Sequence, residues 1–191
     1  MLNTILGSFS SGVAASTNSY ESIATVTIGS GGASNIEFSS IPATYTHLQI
    51  RLIAEGADVS GPGPMSIDVV VNSDTGANYS RHRLYGDGSS VAVDAGTSQA
   101  DMFGGLVNYS ASVNNIFGAA VIDILDYANT NKYKTLRSLS GYDANGSGYV
   151  MFLSGLWQST SAITNIKIYP DNRSYTLRQH SSFALYGIKG A

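Results

Sequence analysis

The chain has 191 residues, of which 43% are hydrophobic and only 12% charged, with a net charge of -3 and no cysteine. That length supports one domain with a full core, and the apolar share is too high for a disordered chain. The missing cysteines exclude disulfide frameworks, thiolate zinc sites and thiol nucleophiles. No Lys or Arg precedes Arg51 and no apolar run approaches the ~20 residues of a membrane span, so neither nucleic acid nor a membrane is expected as a partner.

Residues 1–19 read differently from the rest. Leu2, Ile5, Leu6 and Phe9 recur at helical spacing, and a Ser/Ala/Gly/Asn stretch then runs to Ser19. The segment has no basic start, and Asn3, Thr4, Gly7 and Ser8 break its apolar run, so it does not read as a secretory signal. We expect a short extended or partly helical N-terminal arm: either it frays as chain ends commonly do, or its four apolar residues are partner-binding anchors, since so short a helix needs a surface to dock on.

From Tyr20 to the end, short β-type runs alternate with turn residues. ESIATVTIG alternates, GSGG turns the chain, and NIEFSSI is expected to return as its hairpin partner. In YTHLQIRLIAEG, Leu48, Ile50 and Leu52 alternate with His47, Gln49 and Arg51, giving one buried and one wet face. GADVSGPGP is a loop, MSIDVVVN a β-branched strand with Asp68 inside it, NSDTGANYS a turn and YSRHRLYG another strand. Residues 87–96 carry little core material and are expected to form an exposed loop before QADMFGGLV resumes a strand. NIFGAAVIDILDY is apolar enough for a helix, but its β-branched residues and Gly118 favour a strand. KYKTLRSLSGYD, YVMFLSGLWQS, AITNIKIYP and SSFALYGIKG complete roughly ten strands, which predicts an all-β, antiparallel β-sandwich of jelly-roll type over residues 20–191.

The residues that could carry chemistry are scattered. His47, His82 and His180 have no metal partner at a recognised spacing, and GxSxG does not occur. The glutamates are confined to Glu21, Glu37 and Glu55. Asp123 and Asp126 stand three apart, which on one strand puts them on opposite faces rather than in a catalytic pair. DANGSG, from Asp143 to Gly148, echoes the start of a calcium loop but lacks the later bidentate Glu, and a hairpin turn accounts for the same letters. Tyr45, Tyr79, Tyr85 and Tyr142 bound strands and turns, where they can close a core, line a subunit contact or stack on sugar rings. No enzyme, cofactor or metal site is expected.

YESIATVTIGSGGASNIEFSSIPATYTHLQIR, NSDTGANYS, DILDYANTNKYKTLRSLSGYD, SGLWQSTSAITNIKIYP and SSFALYGIKG resemble a group of tailed-phage virion proteins, familiar from cyanophages and environmental phages, over roughly Tyr20 to Gly190. Modules of this kind occur at fibre tips and as small capsid decoration proteins. The resemblance implies a place on the virion surface and a homotrimer. The short arm, without heptads or a shaft, favours a capsid cement protein bound to the major capsid protein through Leu2, Ile5, Leu6 and Phe9. The alternative is a tail-fibre tip or an adhesin for a host surface glycan, read out by the loops GADVSGPGP, GDGSSVAVDAG and DANGSG.

Overall fold

A computed structural model describes residues 19–57, 63–109, 115–170, 173 and 175–190. The arm anchors Leu2, Ile5, Leu6 and Phe9 therefore lie outside the described residues. The all-β expectation holds: thirteen strands and no α-helix occur among the described residues. They are β1 (Tyr20–Thr27), β2 (Ile36–Phe38), β3 (His47–Ala57), β4 (Gly63–Val71), β5 (Tyr79–Gly86), β6 (Val91–Gln99), β7 (Met102–Tyr109), β8 (Gly118–Leu125), β9 (Lys134–Asp143), β10 (Gly148–Trp157), β11 (Ile166–Pro170), β12 (Thr176–Leu177) and β13 (Ser182–Ile188).

One layer runs β1-β13-β3-β8-β9-β10-β5-β6, with every neighbouring pair antiparallel. A second runs β2-β11-β4-β7. The long strand β3 joins them: its body pairs with β13 and β8, while Glu55 and Gly56 pair in parallel with β7, and Gly56 and Ala57 pair with β12. Strand β7 packs across β8, β9 and β10, so the layers lie face to face. The core fills the space between them. Leu48, Ile50 and Leu52 of β3, Ile122 and Ile124 of β8, and Met151 and Leu153 of β10 point inward against Met65, Ile67, Val69 and Val107 of the second layer, all buried. The alternation read in β3 thus places the buried face correctly.

Two expectations need correction. NIEFSSI does not return beside ESIATVTIG: β1 pairs with β13, and β2 pairs with β11 in the other layer. The intervening segment carries the chain between layers, held where Ile28 exchanges backbone hydrogen bonds with His180 and Ser181 and where Ala33 bridges Leu177. Residues 87–96 do not form one loop either. Only the turn at 87–90 does, and β6 begins at Val91 as the edge strand beside β5. It lacks core residues because no layer among the described residues lies above its outward side chains, not because it lacks a ladder partner.

Candidate functional site

The two faces of the first layer differ in what covers them. The inner one is buried by the second layer. The outer one carries Ile53, Leu84, Val91, Val93, Val121, Leu139, Val150 and Phe152, all exposed, with Val91 at 75%, Val93 at 78%, Leu139 at 57% and Phe152 at 54%. Strand register sets them in rows, because residues directly opposite on paired strands share a face. Val121, Leu139, Phe152, Leu84 and Val93 pair in succession across β8, β9, β10, β5 and β6 and form a continuous apolar ridge. Beside it, Ile53, Ala119, Gly141, Val150, Gly86 and Val91 pair in the same way. In that second row the small residues leave dimples, one of about 480 Å³ around Ala119, Val121, Leu139, Gly141 and Val150 and one of about 200 Å³ around Leu84, Gly86, Val91 and Phe152. A third hollow, of about 460 Å³, lies on the far side of the ridge between His82, Leu84, Val93, Ala95, Phe152 and Ser154.

Gly141 is required by the ladder itself. A Cβ there would meet the Tyr149 carbonyl oxygen at 2.4 Å. The row beyond the ridge is polar at the β3 end and borders the apolar field. Gln49 Nε2 donates to Asp123 Oδ1 at 2.8 Å, Arg51 Nε donates to Gln49 Oε1 at 2.8 Å, and Arg137 Nη2 lies 3.8 Å from Asp123 Oδ2. The Arg51 guanidinium also sits 5.7 Å from the Tyr20 ring centre and 5.5 Å from that of Tyr186, closing the β1–β13 side. Eight apolar side chains, from 40% exposed at Val121 to 78% at Val93, amount to roughly 600–900 Å² of contiguous apolar surface, above the ~300–600 Å² of the largest patch on a typical monomer.

The edge hairpin β5–β6 that carries Leu84, Val91 and Val93 is tied down from its inner side. Arg83 Nη2 pairs with Asp94 Oδ2 at 2.8 Å, Arg81 Nη2 lies 3.5 Å from the same oxygen, and Arg81 Nη1 donates to Gln99 Oε1 at 3.1 Å. Both guanidiniums lie over the Phe103 ring, at 4.8 and 5.6 Å from its centre. Burial opposes the Asp94 charge, but the two arginines outweigh it and hold the carboxyl below its usual range. The polar cleft beneath, about 430 Å³ with Ser66, Asp68 and Asp101 on its walls, separates the hairpin from the second layer.

The residues singled out in the sequence do not converge. His47 Nδ1 accepts from the Asp126 backbone amide at 2.9 Å, His82 is exposed on the outer sheet face, and His180 occupies a turn with φ 74°. Asp123 belongs to the polar row described above, while Asp126 lies past the end of β8 and pairs with Lys132. DANGSG is the β9–β10 turn: Asp143 Oδ1 accepts from the Asn145 amide at 2.7 Å, with Asn145 and Gly146 at positive φ. No group of three or more His, Asp or Glu side chains able to hold a metal occurs among the described residues. Tyr79 is fully buried and donates to the Asp74 carbonyl at 2.8 Å, and Tyr45 donates to Glu21 at 2.9 Å, so both serve the core and its rim. Tyr142 faces Tyr149 with ring centres 6.0 Å apart, and burial, with Tyr149 and Tyr109 beside it, pushes the Tyr142 hydroxyl up to about 12.

Sequence reasoning did not single out the outer face; it read the two faces of a strand apart only in β3, and there it assigned the second face to water. The signal was present in β10, where Val150, Met151, Phe152 and Leu153 are consecutive apolar residues and so mark a strand apolar on both sides. No protein-family model, no curated protein and no solved structure matches the chain.

Proposed function

We propose that this chain is a structural protein of a tailed-phage virion, a cement or decoration protein of the outer capsid surface. The observation that carries the reading is the apolar outer face of the first layer, which no strand among the described residues covers. A domain that works alone in water gains nothing from keeping Val91, Val93, Leu139 and Phe152 exposed in register, whereas a building block needs such a face to be covered by protein. The resemblance noted in the sequence gives the setting. Within it, the major capsid protein is the partner of the arm, and Leu2, Ile5, Leu6 and Phe9 are the anchors that tie it to the lattice.

The test is to mix purified protein with undecorated capsids and image them, comparing the full chain with one that starts at Tyr20. Regular density on the lattice that is lost with the arm supports an arm-anchored cement protein. Undiminished decoration by the shortened chain refutes the anchor role, and absence of lattice density refutes the capsid reading.

A glycan-binding tip is the second reading, favoured by one specific feature. The β5–β6 and β9–β10 turns lie side by side around a hollow of about 340 Å³ lined by Asp87, Tyr142, Asp143 and Tyr149. Tyrosine faces beside carboxylates suit the apolar face and hydroxyls of a sugar ring. Binding on a glycan array that is lost in Tyr149→Ala would favour this reading over the capsid one.

A further inference from the structure

We infer that the apolar outer face is the contact between two copies of this chain, paired about a two-fold axis that runs between the ridge and the dimpled row. This inference rests on reading the chain as an assembly protein, and it names what covers its exposed face.

The argument is one of shape, chemistry and area. The ridge and the dimpled row run parallel, on the same five strands from β8 to β6, two residues apart along each strand. That spacing is roughly 7 Å. A half-turn about an axis lying in the interface, parallel to the rows and midway between them, exchanges the two rows. Leu139 of one copy then stands over the partner's Gly141, Leu84 over the partner's Gly86, and Val121 over the partner's Ala119. Three of the five ridge residues thus meet the smallest side chains of the opposite row, and each fills a dimple rather than striking a neighbour. The same half-turn sets Phe152 over the partner's Val150 and Val93 over the partner's Val91, so these two pairs meet tip to tip between and beyond the filled dimples. A two-fold contact must be self-complementary, and a ridge next to a row of small residues is the simplest surface with that property.

Chemistry points the same way. No charged side chain interrupts either row between Val121 and Val93 or between Ala119 and Val91, so pairing two copies desolvates no ion there. The polar row with Gln49, Asp123 and Arg137 lies outside the exchanged pair of rows and would remain at the rim. The roughly 600–900 Å² exposed on each copy matches the ~800 Å² per partner of a stable protein–protein contact.

The chain contains no cysteine, so single cysteines can report the pairing directly. Val121→Cys and Ala119→Cys chains are prepared separately and treated, alone and as a mixture, with a short thiol-to-thiol crosslinker, because facing sheets stand ~10 Å apart, too far for a direct disulfide. The two-fold arrangement predicts a crosslinked dimer that forms in the mixture far faster than in either chain alone. Light scattering or sedimentation equilibrium of the unmodified chain should give twice the 20.0 kDa mass. Leu139→Glu, which places a charge at an exposed site and leaves the fold intact by circular dichroism, should weaken the dimer at least ~100-fold, as expected for a buried unpaired charge. Thr130→Glu, in an exposed loop away from the face, should not.

A monomer at tens of micromolar, or a Leu139→Glu chain that still dimerises, overturns the inference. A homotrimer, the state implied by the resemblance, overturns the two-fold pairing. A face that becomes protected from solvent only on capsids would assign it to the capsid protein instead. A chain that dimerises as described but leaves capsids bare sinks the cement reading alone.

Discussion

Lys134 is fully buried at the first position of β9, an unusual place for an ammonium group, and replacing it gives the sharpest test of how the fold is held. Its Nζ donates to the backbone carbonyls of Asn129 at 2.5 Å, Lys132 at 2.9 Å and Thr160 at 3.0 Å. An ammonium has three donors, and all three are used. The two loops it joins, at 126–133 and 158–165, have no strand pairing with each other; Ile163 N also donates to the Tyr127 carbonyl. Burial pulls the Lys134 pKa below the ordinary lysine value, while the three carbonyls favour its charged form.

Lys134→Met keeps most of the apolar stem and removes the donors. Three charge-assisted hydrogen bonds are lost and three buried carbonyls lose their donor, while the desolvation cost of the ammonium, several kcal/mol, is relieved. The balance is a loss of about 3 kcal/mol. For a domain of this length that corresponds to a drop of roughly 6–12 °C in Tm, read by circular dichroism at neutral pH. Proteolysis should also open the 126–133 loop first, since its tether is gone. A Lys134→Met chain that melts within ~1 °C of the parent, with that loop still protected, would show that the buried ammonium ties nothing together.

Three further outcomes follow from single sites. Asp74 accepts hydrogen bonds from Trp157 Nε1 at 2.8 Å, from Asn78 and from the Gly76 amide, and these donors, Trp157 first, hold its carboxyl below the usual range. A depressed folded pKa gives stability that is present above the unfolded value of 3.8 and is lost as pH falls through the folded one. Asp74→Ala should therefore cost about 2 kcal/mol at pH 7, lose less on further acidification than the parent, and shift the fluorescence of Trp157, the chain's one tryptophan. Glu55 is fully buried, with Arg178 Nε at 3.6 Å and the backbone amides of Asn115 and Ile116 turned towards it, yet burial outweighs them and raises its pKa. A raised carboxyl pKa costs stability as pH rises through the unfolded value of 4.5, so Glu55→Gln should raise Tm at pH 7 and lose that advantage below about pH 4. Gly141→Ala would press a Cβ to 2.4 Å from the Tyr149 carbonyl oxygen, in backbone that cannot yield without parting β9 from β10, and should cost about 3 kcal/mol by urea unfolding.

The sequence was legible where one face of a strand was apolar and the other was not. Leu48, Ile50 and Leu52 announced the buried side of β3, and Gly118 with its β-branched neighbours announced β8 as a strand rather than a helix. Pairing was less legible, because the ladder partner of β1 lies at the far end of the chain in β13, and nothing local in GSGG distinguishes a hairpin turn from a passage between layers. Strand β6 was hidden for a related reason. Its backbone pairs with β5 like any strand, but its side chains alternate between Val91, Val93 and Ala95 in the open and Ala92 and Asp94 beneath, so a search for core residues reads it as loop. Lys134 was illegible in kind, since a lysine in a polar stretch reads as surface until tertiary structure gathers three carbonyls around it.

The outer face belongs to the same lesson, with a different cause. Alternation separates the two sides of a strand but cannot tell which side the chain itself will cover. In β9 and β10 the inner positions hold Leu136, Ser138, Met151 and Leu153, and the outer ones Leu139, Val150 and Phe152 with Arg137 and Ser154 beyond them, so from Leu139 to Leu153 composition alone does not mark which side is core. What decides between them is the second layer: β7, β4 and β11 cover one side, and the described chain supplies nothing for the other. The core of this domain is therefore only part of its apolar plan. Gly141 is already required by the β9–β10 ladder, but Gly86 beside the ridge would be an odd choice for a surface meant to stay wet, where a glycine only weakens the strand it interrupts. It is a sound one for a surface that must admit the side chains of a neighbour, and Leu139→Glu distinguishes the two, because a wet surface tolerates a charge that a buried contact does not.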